Sequence, residues 1–185
     1  MKGICIDMMD KPQLFMRLKT LENLPETTLD EGFSCRHFLP GDETTWEHIT
    51  KTVGFDMNFN ESIKSEPFFV PERVWFVCHN DKPIATATAW VYKDEPEKTG
   101  YVHMVAALPE YSGRKLGYNI SLAVLHQMKK FNLNQAVLHT DDFRLAAVKI
   151  YLSLGFEPEF DKNDDSMALR WREVLIGLQK QKQIV

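Results

Sequence analysis

Cysteine is scarce in this 185-residue chain, at Cys5, Cys35 and Cys78 alone. Three scattered thiols with no C-x-x-C pair exclude a disulfide framework and a thiolate zinc site, and leave reduced thiols of a cytoplasmic protein as the expectation. No apolar run approaches the ~20 residues that a membrane helix needs. The opening "MKGICIDMMDKPQ" has no apolar stretch of the kind that marks a secretory leader. Positive charge is not in excess either. The net charge of −4 at pH 7 argues against general attraction to nucleic acid or to an anionic membrane. His37, His48, His79 and His126 show no ligand spacing, so no metal is expected. Neither G-x-x-x-x-G-K-[ST] nor G-x-G-x-x-G occurs, which removes the sequence signals for a P-loop and for a dinucleotide fold. Repeats and low-complexity tracts are also missing.

What is present has the balance of an ordinary globular domain, 44% hydrophobic and 26% charged. One domain of this length can bury roughly 70% of its unfolded surface. "LFMRLKTL" reads as a short strand or helix and "ENLPETTLDEG" as linker or cover. "FSCRHFL" is strand-like, and "PGDETTWEHITKTV" is a turn and a helix with Asp42 or Thr44 at its start. A second short helix and a loop follow, with Pro67 and Pro71 as breakers. "RVWFVCHN", the turn "HNDKP" and "IATATAWVY" read as a hairpin. "KDEPEKTG" is a charged, exposed loop. "YVHMVAAL" is apolar on both faces, as a buried central strand should be.

The stretch "LPEYSGRKLGYNIS" then joins that strand to a helix whose apolar stripe includes Leu116, Ile120, Val124 and Met128. A plain turn needs one proline and one glycine. Here two glycines and two bases, Arg114 and Lys115, precede a helix start, where unpaired N–H groups and the dipole favour an anion. "NQAVLHT" is a further strand. "DDFRLAAVKIYLSLG" is a helix that Asp141 or Asp142 can cap and Gly155 can end. "FEPEF" and "SMALRW" read as a closing hairpin before a terminal helix, "REVLIGLQKQKQ". The order is an antiparallel strand run, then strand–helix–strand–helix. It predicts a mixed α/β fold: a mostly antiparallel sheet with one parallel strand pair, flanked by helices and joined by a right-handed crossover. The loop lies at the carboxyl end of a central strand, where α/β proteins usually bind ligands.

These residues resemble the GCN5-related N-acetyltransferase (GNAT) superfamily. "VAALPEYSGRKLG" overlays the family pattern V-x-V-x-P-x-x-R-G-x-G-x-G without a gap from Val105 to Gly117. Tyr151, Gly155 and Phe156 fall on the later aromatic-x-x-x-G-F segment. Two positions depart: the family's first Arg or Gln is Ser112, and its central glycine is Lys115. The Lys115 side chain either crowds the backbone's approach to a pyrophosphate or brings its ammonium to a phosphate of coenzyme A. The resemblance covers residues 33 to 171. It implies a domain over 33–185, with 1–32 as an N-terminal extension or linker.

The resemblance further implies transfer of an acetyl group from acetyl-CoA to the amine of a small-molecule or peptide acceptor, and a homodimer is common in the family. Its pantetheine-holding backbone corresponds to Val105, Ala106 and Ala107. Its pyrophosphate amides correspond to Ser112, Gly113, Arg114, Lys115, Leu116, Gly117 and Tyr118. Its thiolate-protonating aromatic residue corresponds to Tyr151, although the same helix face allows Tyr151 to be plain core. For the base, His103 has a suitable ordinary pKa and is read on the same side of the strand as Val105. His139 is a second candidate, and Glu110 reads as solvated. Trp75, Phe76, Trp90 and Tyr92 line an acceptor cleft or fill the core. A non-catalytic coenzyme A sensor on the same scaffold is the alternative.

Overall fold

The computed structural model describes residues 11–91 and 98–182, with side chains described to residue 180. Cys5, Tyr92 and most of the charged loop after it lie outside these. Seven strands form one sheet: β1 (Leu14–Leu18), β2 (Phe33–His37), β3 (Val74–His79), β4 (Lys82–Trp90), β5 (Thr99–Ala107), β6 (Gln135–Thr140) and β7 (Glu157–Pro158). Their order across the sheet is β2-β3-β4-β5-β6-β1-β7. Every neighbouring pair is antiparallel except β5 and β6. Four helices accompany it: α1 (Glu43–Thr52), α2 (Leu116–Lys130), α3 (Leu145–Ser153) and α4 (Asp165–Lys182). The sheet is therefore mixed, mostly antiparallel, with its single parallel pair closed by the α2 crossover.

Local sequence explains most of these elements. Asn80 and Asp81 take positive φ (47° and 67°) between His79 and Lys82, the two-residue turn that suits the twist of the β3–β4 hairpin. The alternation in "LFMRL" buries Leu14, Met16 and Leu18 and turns Phe15 and Arg17 the other way. α2 buries Ile120, Leu122, Val124, Leu125 and Met128. α1 and α2 both pack on β4 and β5, from opposite faces. Gly100 marks the α2 face: a Cβ there would stand 2.5 Å from Met128 Sδ.

Two expectations change. "SMALRW" is not a strand, because Asp165 to Lys182 is one continuous helix. Asp164 Oδ1 accepts the Met167 N–H at its start, and Trp171, Val174 and Leu178 form its buried stripe. Asp141 and Asp142 do not cap α3, for they are held by Arg144 and Arg170 instead. The second short helix is present, as a single wide turn at Asn60–Lys64.

β1 lies within the stretch 1–32 expected as an extension, yet it is paired to β6 over five residues and to β7 over two. Residues 22–28 follow α2: Thr28 N–H donates to Asn119 Oδ1, the Pro25 carbonyl meets His126 Nε2, and Glu22 pairs with Lys129. Leu14 is fully buried. Leu14→Ala should therefore cost about 2–5 kcal/mol in denaturant unfolding, the range for truncating a core leucine. A cost near zero would show that β1 is dispensable.

Candidate active site

The site begins where a ladder stops. β5 and β6 pair at Thr99↔Gln135, Gly100↔Ala136 and Tyr101↔Val137, and no further. β5 continues to Ala107 and β6 to Thr140, so the two strands part and open a gap through the sheet. Parallel strands have their side chains on both faces committed to layers, so a gap here connects the two sides. A cavity of about 140 Å³ fills it, lined from β5 by Tyr101 to Val105, from β6 by His139 and Thr140, and from α3 by Arg144, Ala147 and Tyr151. A larger concavity of about 530 Å³ lies between β7 and α4, but its lining is Pro158, Phe160, Trp171, Leu175 and similar groups, with Arg172 the one charge. That surface offers no acid, base or nucleophile, so the gap is the candidate site.

A β-bulge sets the geometry of β5. Thr88 faces His103 and Thr86 faces Ala106, so two residues of β5 oppose one of β4. Met104 absorbs the extra residue at φ 52°. The bulge reverses the alternation, because partners across a ladder share a face. Tyr101, His103 and Ala106 lie with Thr86, Thr88 and Trp90 on one face, and Val105 lies on the other. His103 and Val105 are thus not on the same side, contrary to the sequence expectation, which assumed unbroken alternation.

Tyr151 is 6% exposed and projects from α3 into the cavity. Burial pushes its phenol up to about 12, with Arg144 pulling slightly the other way, so it stays protonated at neutral pH. His103 sits between Trp90 and Tyr101, with ring centroids 5.9 and 5.5 Å away. Burial pushes its imidazole down from 6.5 to about 4. It is neutral at pH 7 and a weak proton acceptor. The sequence pointed less firmly to His139. It is exposed, and its Nδ1 lies 2.8 Å from the Tyr101 hydroxyl. No single motif signals that pair, since 38 residues separate its members.

The loop after β5 turns at Pro109–Tyr111 and enters α2 at Leu116. Gly113 (φ 84°) and Lys115 (φ 53°) are left-handed. Glycine accepts that region freely, whereas a lysine there costs roughly 1–2 kcal/mol. No side chain caps α2. Its first N–H groups are thus available to an anion. Arg114 leans over the Phe33 ring at 5.3 Å and lies 3.7 Å from Asp30. Gly117 serves packing, because a Cβ there would stand 2.9 Å from Ile150 Cδ1 of α3. Of the residues expected to form the site, His103, Val105 and Tyr151 line the gap. Ala106 and Ala107 continue β5 beyond it, and Ser112 to Tyr118 form the loop and helix start. Phe76 is fully buried, and Trp75 is turned to Glu72 by its indole N–H. Trp90 remains on the Tyr101 face. Among the described residues no group of three or more His, Cys, Asp or Glu is placed to hold a metal, and no helix is long and apolar enough to cross a membrane. Cys78 is buried and unpaired, and burial pushes the half-buried Cys35 thiol up to about 11.

A family model described as "Acetyltransferase (GNAT) family" matches residues 37–156, from the end of β2 to the start of β7. The chain belongs to this acetyltransferase family. Mycothiol acetyltransferase of Thermomonospora curvata is 29% identical over 142 residues, covering 72% of this chain and 47% of that protein. The chain spans about half the length of the curated relatives it matches. Among solved structures, a GCN5-related N-acetyltransferase of Sphaerobacter thermophilus superposes with a TM-score of 0.61 at 20% identity, over 80% of this chain and 50% of that one. Arabidopsis thaliana Naa50, solved with the bisubstrate analogue CoA-Ac-MVNAL, gives 0.56 at 22% identity, over 68% and 83%. At these identities the likeness is one of fold. In this member of the family the split strand pair, the bulge and the uncapped helix start follow one another along β5 and the loop after it.

The depressed His103 pKa makes a prediction about stability. Its folded value lies below its unfolded value, so the unfolded chain binds the extra proton first. Its share of stability is complete above pH 6.5 and is lost as the pH falls toward 4, by about 3 kcal/mol over that window. Urea midpoints measured across pH 4 to 7 should fall steeply for the wild type and less steeply for His103→Phe. Parallel curves would place the imidazole in water.

Proposed function

We propose that this chain is an N-acetyltransferase that moves the acetyl group of acetyl-CoA to the primary amine of a small-molecule or peptide acceptor. The observation that carries the reading is the gap between β5 and β6, with Tyr151 inside it and the uncapped start of α2 at its end. Beyond Tyr101 the outward backbone groups of β5 have no ladder partner in β6. An extended amide-bearing arm can pair with such an edge as an added strand would. Val105, Ala106 and Ala107 are the groups we assign to it. We assign the pyrophosphate to the backbone N–H groups from Ser112 to Tyr118, where two left-handed residues turn successive amides outward. The cavity of about 140 Å³ suits the acetyl thioester, while the nucleotide end extends along the surface.

Attack by a neutral amine puts negative charge on the carbonyl oxygen, which a fixed strand N–H stabilises. Collapse expels a thiolate, and we assign its protonation to Tyr151. Burial keeps that phenol protonated. The likeness to Naa50, a protein solved with a coenzyme A conjugate, and to mycothiol acetyltransferases supports this substrate class. Lys115 favours the second reading, a coenzyme A sensor without turnover, because its side chain stands in the loop where the family pattern has glycine.

Titration calorimetry with acetyl-CoA, dephospho-CoA and ATP tests the site. The proposal expects micromolar binding selective for the coenzyme, weaker for the dephospho form if Lys115 or Arg114 meets the ribose phosphate. Tyr151→Phe should keep that affinity and lose about 10²-fold or more in turnover. Coenzyme binding with no transfer to any amine would favour the sensor, and no binding would remove both readings.

A further inference from the structure

α4 carries apolar residues on two sides, and the fold covers only one. Trp171, Val174 and Leu178 are buried. Leu169 and Ile176 are 55% and 41% exposed. They stand seven residues apart, two turns to within ~20° at 3.6 residues per turn, so they form one line along the helix. That line points away from the buried stripe. Arg172 and Glu173 are exposed and flank it on either side, each about 50° from it. Among the described residues neither has an ion-pair partner. Nor do they pair with each other, because adjacent side chains on a helix do not face one another. On the Arg172 side the exposed Leu175 continues the apolar surface into the concavity of about 530 Å³ beside Phe160 and Trp171.

We propose that this face of α4 binds a second copy of the chain, α4 against α4, with the two helices parallel. The face is its own complement, as a twofold contact requires. A twofold axis running along parallel helices sets Leu169 on the partner's Leu169 and Ile176 on the partner's Ile176, successive layers one heptad apart. The same axis brings the Arg172 flank against the partner's Glu173, and the Glu173 flank against the partner's Arg172. Two reciprocal ion pairs then close around the apolar layers. Antiparallel copies would keep the apolar line but set Arg172 beside the partner's Arg172 and Glu173 beside the partner's Glu173. Like charges placed together reject that arrangement and so fix the direction.

The size of the contact sets its strength. α4 has 18 residues and is therefore about 27 Å long at 1.5 Å per residue. One helix pair of that length lies at the low end of specific interfaces, whose standard size is roughly 1,600 Å². The dimer should accordingly dissociate in about the micromolar range. Exposed ion pairs add little affinity, so Arg172 and Glu173 select the partner and the direction, and the Leu169 and Ile176 layers hold the copies together. None of the residues lining the gap between β5 and β6 belongs to α4. The contact thus stands or falls independently of the transferase reading.

Sedimentation equilibrium of the full chain, from about 1 to 500 μM at low salt, tests the contact. The weight-average mass should climb from that of one chain toward that of two. Ile176→Lys should hold it at one. Arg172→Glu and Glu173→Arg should each raise the dimer Kd about 10-fold or more, and the double exchange Arg172→Glu with Glu173→Arg should restore it. All these positions are exposed, so the thermal transition of each variant should match that of the wild type. A wild type that stays monomeric throughout overturns the proposal, as does a dimer that Ile176→Lys leaves intact. Direction is read by cross-linking with copper–phenanthroline as oxidant. Leu169→Cys alone should form an interchain disulfide above the wild-type background. Cross-linking only in a mixture of Leu169→Cys and Ile176→Cys chains would show antiparallel helices and overturn the parallel contact.

Discussion

Everything at the centre of this molecule depends on the three-residue ladder between β5 and β6. Those pairs hold two parallel strands together at one end only. A longer ladder would close the sheet and remove the gap. A shorter one would leave Tyr101 and Val137 unheld and the crossover helix α2 without a fixed base. The strands can part because their outer neighbours hold them, β4 by a long antiparallel ladder and β1 by five residues. The bulge at Met104 adds to this, since a bulge increases local twist and bends its strand.

At that opening the two faces of the sheet carry different chemistry. The α2 face carries the buried Tyr151 phenol, pushed up to about 12 by burial. The opposite face carries the exposed His139 imidazole, 2.8 Å from the Tyr101 hydroxyl. A buried hydroxyl with a raised pKa keeps its proton at neutral pH. Burial, rather than residue type, separates His103 from His139. The α2 start is oriented independently by Asn119, whose amide donates to the Lys115 carbonyl and whose oxygen takes the Thr28 N–H. A stretch that reads as cover thus pins the start of α2.

Much of this was legible in the sequence. Strand alternation, the Asn80–Asp81 turn and the long stripe of α2 are local signals, and they gave the mixed sheet with one parallel pair. The Val105–Gly117 pattern and Tyr151 located the gap's neighbourhood through family likeness. The parts that sequence missed are non-local. A single left-handed residue, Met104, reverses every later side chain of β5, and nothing in "YVHMVAAL" announces it. "SMALRW" is a different case: its Met, Ala, Leu and Arg are helix formers, and it belongs to the long helix that Asp164 starts, so the strand reading overlooked a local signal. Tyr101 and His139 meet only because β5 and β6 are neighbours after a crossover, which no short window can display.

The most direct measurement is amide hydrogen exchange with and without acetyl-CoA, read residue by residue. If the gap is the coenzyme site, the N–H groups of Val105 to Ala107 and of Gly113 to Tyr118 should slow together on binding, while α4 and the β7 concavity stay unchanged. Protection confined to α4, or none in β5 at saturating coenzyme, would contradict the account at its centre.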